Sequence, residues 1–202
     1  MFYRNFDELA SKQYEGMIVT GAPVERIPFE DVRYWKQLTE IFDWSRTEIG
    51  SAVYLCWGAQ VGLYHHYGVP KYDLPKKLFG VYKQELMKQN LPIFRDIPSV
   101  FNMPNSRYTE VRKSDIDKVD DLEIFAWGAE SGVGIVKPNF SSWDTWSILP
   151  LLSTSNTGVI WAEDLILTCL RIIMWTTIRT RVPIILGGNL PTLSIRIGST
   201  IT

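Results

Sequence analysis

The sequence predicts an α/β protein over residues 1–138, with a parallel or mixed sheet carrying helices on both faces. Short apolar runs alternate there with segments of helical spacing, the pattern of such a sheet. Apolar residues make up 46% of the 202-residue chain and charged residues 21%, enough for one domain with a sizeable core. The composition also breaks after Pro138. Residues 1–138 hold 36 charged residues, ten of them Lys, whereas residues 139–202 hold seven and no Lys. The tail has 11 Ile and 17 Ser or Thr instead, and too few charges for an ordinary solvated surface. Two regions follow: a domain over 1–138, and a tail over 139–202 to which no domain is assigned and whose fold is expected to be poorly defined.

The elements run in order. FDELASKQ predicts a helix with Asn5 as its N-cap. GMIVTG is a short apolar strand ending in a glycine turn. FEDVRYWKQLTEIFDW has helical spacing, with Val32, Trp35, Leu38, Ile41 and Phe42 on one face. SAVYLCWG reads as a strand, and GAQVGLYHHYG as a helix closed by Gly68. KLFGVYK, YTEVRK, LEIFAWG and GVGIVK read as further strands, and SDIDKV as a brief helix capped by Ser114. In the tail, LILTCLRIIMW and VPIILGG are apolar runs without a polar face, followed by the turn-rich GGNLPTLS.

Several classes are set aside. A net charge of −1 gives no reason to expect nucleic acid or a membrane surface as partner. The two cysteines, Cys56 and Cys169, make neither a disulfide framework nor a metal-binding spacing, and Cys169 is read as structural. No clustered His, Cys and carboxylate set calls for a metal. The start, MFYRNFDELASKQ, is too polar for a signal peptide, so a cytoplasmic protein is expected. The most apolar stretch, Gly158 to Ile173, is interrupted by Glu163, Asp164 and Arg171. Each charge near a bilayer centre costs about 2.5–3.5 kcal/mol, which argues against a membrane span.

Cys56 is the candidate nucleophile. It stands where the strand AVYLC turns into the helix GAQVGLYHHYG, as in a nucleophile elbow. The small residues Gly58 and Ala59 permit close packing after the turn. The positive end of the helix is expected to lower the thiol pKa. The backbone N–H of Trp57 is placed to hold an oxyanion. Context alone leaves a second reading open, a buried and inert cysteine in a core strand, because cysteine is among the most buried residue types.

The segments SAVYLCWGAQVGLYHHYGVPKYDLPKKLFGVY, GMIVTGAPVERIPFEDVRYWKQLTEIFDW and NSRYTEVRKSDIDKV strongly resemble the homoserine O-acyltransferase family of methionine biosynthesis. The resemblance runs from about residue 2 to about residue 137. It implies a flavodoxin-like, class I glutamine amidotransferase-like three-layer sandwich. It also implies acyl transfer from acetyl-CoA or succinyl-CoA to the hydroxyl of L-homoserine through an acyl-cysteine, with no further cofactor, and a possible homodimer. By the same resemblance Cys56 matches the acylated nucleophile, while Lys77 in PKKLFGVY and Ser106 in NSRYTEVR match substrate-binding residues. Without it, Lys77 reads as a solvated lysine and Ser106 as a turn serine. Glu25, in TGAPVER, matches the position linked to donor choice, where glutamate goes with acetyl-CoA and glycine with succinyl-CoA. A carboxylate there repels the free carboxylate of a succinyl group. Asn105 departs from the pattern, since many relatives carry histidine there. His65 and His66 lie about 13–15 Å along their helix from its start and are read as structural. Two other readings stand beside this one: a different amidotransferase-like cysteine hydrolase, and a non-catalytic remnant.

Thiol catalysis needs a base within hydrogen-bond reach and a group that orients it. The resemblance implies a Gly-His-x-Glu-Tyr motif for both, and the sequence contains none. The chain also begins partway into the family's domain, so an N-terminal segment that helps form the donor site is expected to be missing. Reading the tail one base out of frame recovers the motif. Trp143–Asp144 gives Gly, Asp144–Thr145 permits His, and the next three pairs permit Leu, Glu and Tyr. Val159 through Arg179 and Ile195 to Thr202 permit further family-like sequence in the same frame. A one-base insertion or deletion near codons 136–142 is therefore expected, from a sequencing error or in a true pseudogene, and the printed chain is expected to have little or no acyltransferase activity.

Overall fold

The computed structural model describes residues 3–89, 94, 97–138, 144–148, 183–186 and 194–197. Cys169 and the apolar runs around it lie outside these residues. The described elements in chain order are β1 (Tyr3–Arg4), β2 (Tyr14–Val19), α1 (Trp35–Glu48), β3 (Ile49–Leu55), α2 (Trp57–Tyr67), β4 (Tyr72–Leu86), β5 (Val100–Glu110), α3 (Lys113–Ile116), β6 (Leu122–Gly128), β7 (Gly132–Pro138), β8 (Asp144–Ile148), β9 (Pro183–Leu186) and β10 (Ser194–Ile197).

The strands form one mixed sheet in the order β1-β10-β9-β2-β3-β8-β7-β6-β4-β5. Its centre is parallel: β2 pairs with β3 and β9, and β3 pairs with β8. From β7 to β5 every pairing is antiparallel. The crossover through α1 joins the parallel neighbours β2 and β3, because parallel neighbours need a long connection and hairpins do not. Three strands of the sheet come from residues beyond 138. Of these, β8 lies between β3 and β7, with Ser51 opposite Asp144 and Leu55 opposite Ile148.

Strand β3 separates two cores, one on each of its faces. Tyr54 joins a cluster that takes in Leu38, Ile41 and Phe42 of α1, Val61 and Leu63 of α2, and Ile116 of α3. Val53, its neighbour on the opposite face, packs with Leu86, Phe94, Met103, Phe125, Ala126 and Ile135. Phe42 and Tyr54 bring their ring centroids to 4.7 Å, and the Tyr54 hydroxyl shares a 2.8 Å hydrogen bond with the buried Ser45 Oγ. Burial pushes the Tyr54 phenol well above its ordinary range, so it stays protonated and the bond persists. The glycine at 62 lets α2 close on this pair, since a Cβ there would stand 2.6 Å from the Tyr54 ring.

Some local expectations give way. FDELASKQ forms only a 3-10 turn over Phe6–Glu8, and Asn5 makes no side-chain cap bond. FEDVRYWKQ begins with a 3-10 turn at Phe29–Asp31, and α1 starts at Trp35. The brief helix starts at Lys113 and its N-cap is Arg112, so Ser114 is not the cap. KLFGVYK and YTEVRK belong to strands longer than the sequence pattern marks, 15 residues in β4 and 11 in β5. Long antiparallel arms support each other through backbone pairing, which apolar periodicity does not register. Among the described residues no helix is long and apolar enough to cross a membrane.

Candidate active site

Cys56 stands between β3 and α2 with φ 55° and ψ −121°, and it is the sole non-glycine residue at positive φ among the described residues. Holding such a conformation costs about 1–3 kcal/mol and persists only where the surroundings enforce it. Two glycines permit that enforcement. A Cβ on Gly58 would lie 2.9 Å from the Thr20 carbonyl oxygen and 3.0 Å from Val19 Cγ1, so α2 sits directly on the end of β2. A Cβ on Gly21 would lie 3.2 Å from Cys56 Cβ and 3.4 Å from its Sγ. The loop after β2 thus passes beside the thiol.

The thiol is not the depressed one that a helix N-terminus leads one to expect. Burial, reinforced by the nearby Glu25 carboxylate, pushes it up to about 11, against weaker opposing help from the Trp57 backbone N–H and the Arg107 guanidinium. Cys56 as a residue is partly exposed, but its sulfur lies within protein, and desolvation of a thiolate outweighs one turn's worth of helix dipole. The Trp57 backbone N–H acts on the thiol in the lowering direction, as expected of a group that would hold charge there. Both histidines of the chain are elsewhere. His65 Nε2 lies 2.7 Å from Asp43 Oδ1, and His66 is pushed down to about 4, chiefly by burial.

Glu25 and Arg107 both act on the Cys56 thiol, and Glu25 and Cys56 both favour the charged Arg107 guanidinium, which burial opposes. Glu25 Oε2 accepts the backbone N–H of Tyr108 at 3.1 Å. Lys77 reaches the same tyrosine from β4, its Nζ 5.4 Å from the Tyr108 ring centroid and 5.3 Å from that of Phe79. Ser106 is buried on β5, and among the described residues its hydroxyl has no hydrogen-bond partner. The structure therefore links Glu25 to Cys56 and, through Tyr108, to Lys77.

Sequence reading missed three supporting residues. Arg107 is buried and donates to Asn105 Oδ1 at 3.2 Å, to the Thr109 carbonyl at 2.9 Å and to the Ser131 carbonyl. Asn105, where the pattern departs from many relatives, is thus a buried acceptor for that guanidinium. Gln60, in the first turn of α2, accepts from Thr109 Oγ1 at 2.9 Å and ties β5 to the elbow helix. Lys71 donates from Nζ to the carbonyl oxygens of Glu25 and Ile27, and lies 4.3 Å from the Phe29 ring centroid. Arg107 and Thr109 stand inside the quoted NSRYTEVR, but only the fold reveals their buried contacts. Folding also makes a group for which the sequence offers no signal: ligating atoms of Asp43, His65 and His66 lie within 4.8 Å of one another.

A mixed α/β sheet with a strained cysteine at a strand-to-helix turn defines a class I glutamine amidotransferase-like fold. Solved structures of that kind share it. The glutaminase domain of Trypanosoma brucei CTPS matches with a TM-score of 0.59 at 13% identity, over 82% of this chain and 72% of that one. A glutamine amidotransferase of Thermotoga maritima matches with a TM-score of 0.53 at 13% identity, over 66% and 55%. At such identities the likeness is one of fold. Within this class the chain belongs to the homoserine O-succinyltransferase family, which matches residues 1–142. The homoserine O-acetyltransferase of Parabacteroides distasonis is 56% identical over 132 residues, 65% of this chain and 43% of that protein. That of Bacteroides fragilis is 53% identical over 135 residues, 67% and 44%. The chain spans less than half the length of these relatives.

Proposed function

We propose that this chain carries the nucleophile half of a homoserine O-acetyltransferase site, with Cys56 as the acylated residue. The Cys56 sulfur attacks the thioester carbonyl of acetyl-CoA, and coenzyme A leaves as a thiol after taking the cysteine proton. The homoserine hydroxyl then attacks the acyl-cysteine, the carbon–sulfur bond breaks to release the O-acetyl product, and a base carries the hydroxyl proton to the departing Cys56 sulfur, restoring the thiol. Trp57 N–H faces the sulfur and supports the role of oxyanion donor. Lys77 and Ser106 are the proposed homoserine-binding residues, and acyl-CoA and homoserine the proposed partners. The observation that carries the reading is the positive φ of Cys56, a strain that a buried structural cysteine has no need to bear.

Donor choice rests on Glu25. The family's description says succinyl and the relatives' names say acetyl. A carboxylate close enough to perturb the Cys56 thiol disfavours a second carboxylate on the incoming acyl group.

The printed chain is proposed to turn over poorly. β8 ends at Ile148, opposite Leu55, so its carboxyl end opens toward the Cys56 turn. That end of a parallel strand is where a base belongs. The residues that follow in sequence are Leu149, Pro150, Leu151 and Leu152, none a proton acceptor. Incubation of the chain with acetyl-CoA, succinyl-CoA or glutamine, followed by mass analysis of the Cys56 peptide, tests the reading. Slow acetylation of Cys56 that disappears in Cys56→Ser supports it. Labelling from glutamine, preference for the succinyl donor, or acetylation that survives in Cys56→Ser overturns it.

A further inference from the structure

We propose that Asp43, His65 and His66 form a binding site for one divalent transition-metal ion of the zinc type, and that the ion clamps α1 to α2. Asp43 lies on α1, and the two histidines lie in the last turn of α2. Their ligating atoms lie within 4.8 Å of one another, and His65 Nε2 and Asp43 Oδ1 already meet at 2.7 Å. Around a tetrahedral ion with bonds near 2.0–2.2 Å, ligand atoms stand about 3.3–3.5 Å apart. The observed spacings, 2.7 Å for one pair and at most 4.8 Å for the others, bracket that value.

The chemistry favours this class of ion. Two imidazoles and one carboxylate suit zinc, nickel or copper rather than calcium or magnesium, which prefer all-oxygen shells. His66 carries a buried Nε2 that has no hydrogen-bond partner among the described residues. The rings are held from behind: Phe42 packs 6.4 Å from His65 and 5.8 Å from His66 between centroids, and Trp35 meets His65 edge-on at 6.3 Å. Asp43 is mostly exposed, which leaves an entry path and an open position for water. Arg46, on the same helix as Asp43, also faces His66 and opposes a cation, so the affinity is expected to be moderate.

The group stands at the far end of α2 from Cys56, so the ion serves stability and not the acyl-transfer step. Binding of an ion to the folded chain alone raises the unfolding midpoint.

The test uses the full chain with Zn2+ in calorimetry and Co2+ in visible absorption, in the wild type and in the variants Asp43→Asn and His65→Ala, each checked for fold by circular dichroism. The proposal expects one ion per chain and weak Co2+ bands without a thiolate charge-transfer band. It also expects a raised thermal midpoint, and binding weakened by at least about tenfold in each variant, since loss of a ligand costs no less than loss of the group behind it. No uptake, uptake unchanged in both variants, or a Co2+ spectrum of thiolate coordination overturns it.

Discussion

The Glu25 carboxylate accepts the backbone N–H of Tyr108 at 3.1 Å, so the loop after β2 is tied to β5 in the same place where its charge reaches the Cys56 thiol. Glu25→Gln keeps the shape and an acceptor but removes the charge. The Cys56 titration is expected to move to lower pH, because a neighbouring anion disfavours the thiolate. Iodoacetamide alkylation of the Cys56 peptide across a pH series checks this, and superimposable profiles for the two proteins contradict it.

With its thiol pushed up to about 11, Cys56 should react slowly at neutral pH. Its alkylation rate should climb about tenfold per pH unit from about pH 7 to pH 10, as the thiolate fraction does. Stability moves the other way. From about pH 9 the unfolded thiol loses its proton while the folded one keeps it, so the unfolded state binds fewer protons and folding weakens as pH rises toward 11. Urea midpoints measured along that range should fall, and the fall should shrink in Cys56→Ser.

Gly58→Ala tests the packing that imposes the elbow. The new Cβ meets the Thr20 carbonyl at 2.9 Å and the Val19 carbonyl at 3.1 Å, and neither backbone atom can swing aside as a flexible side chain does. A loss of about 1–3 kcal/mol is expected, read as a lower urea midpoint at unchanged slope.

The turn at Cys56 was legible from a cysteine followed by small residues between an apolar strand and a helix, but that context left a buried inert cysteine equally open, and the family resemblance decided between the two. Chain order likewise exposed β2, β3, α2, β6 and β7. The thiol's charge state was not legible, since it depends first on burial and then on Glu25 and Arg107, which are distant from Cys56 in sequence. The Asp43–His65–His66 group escaped for the same reason: it is split between two helices, and it forms only where α1 packs on α2, with Phe42 against both histidine rings. The extent of β4 and β5 was hidden too, because their partly exposed faces carry little apolar period.

Lys71 should matter to Glu25 without touching substrate. It is half-buried and its pKa is pushed down by that burial, yet its ammonium is engaged by the carbonyls of Glu25 and Ile27. Lys71→Met removes both bonds and should free the loop. Amide hydrogen exchange is expected to speed up over residues 22–28 while α1 and β3 stay protected. A Lys71→Met protein whose loop exchanges as slowly as the parent would show that the loop is held by other contacts.

The missing base makes the last prediction. Reading the tail one base over places a histidine at the Asp144–Thr145 junction. For that imidazole to reach Cys56, the strand beside β3 has to lie earlier in the chain than Asp144–Ile148, so that the histidine follows its carboxyl end. A chain expressed with the restored reading should then pair Cys56 with an imidazolium, which favours the thiolate. Its alkylation profile should shift to markedly lower pH than that of the printed chain. This readout needs neither acyl donor nor homoserine, so it does not depend on the portion of its relatives that the chain does not span. If the restored chain alkylates with the same high profile, the frame reading fails, and Cys56 in either chain is a thiol without a base.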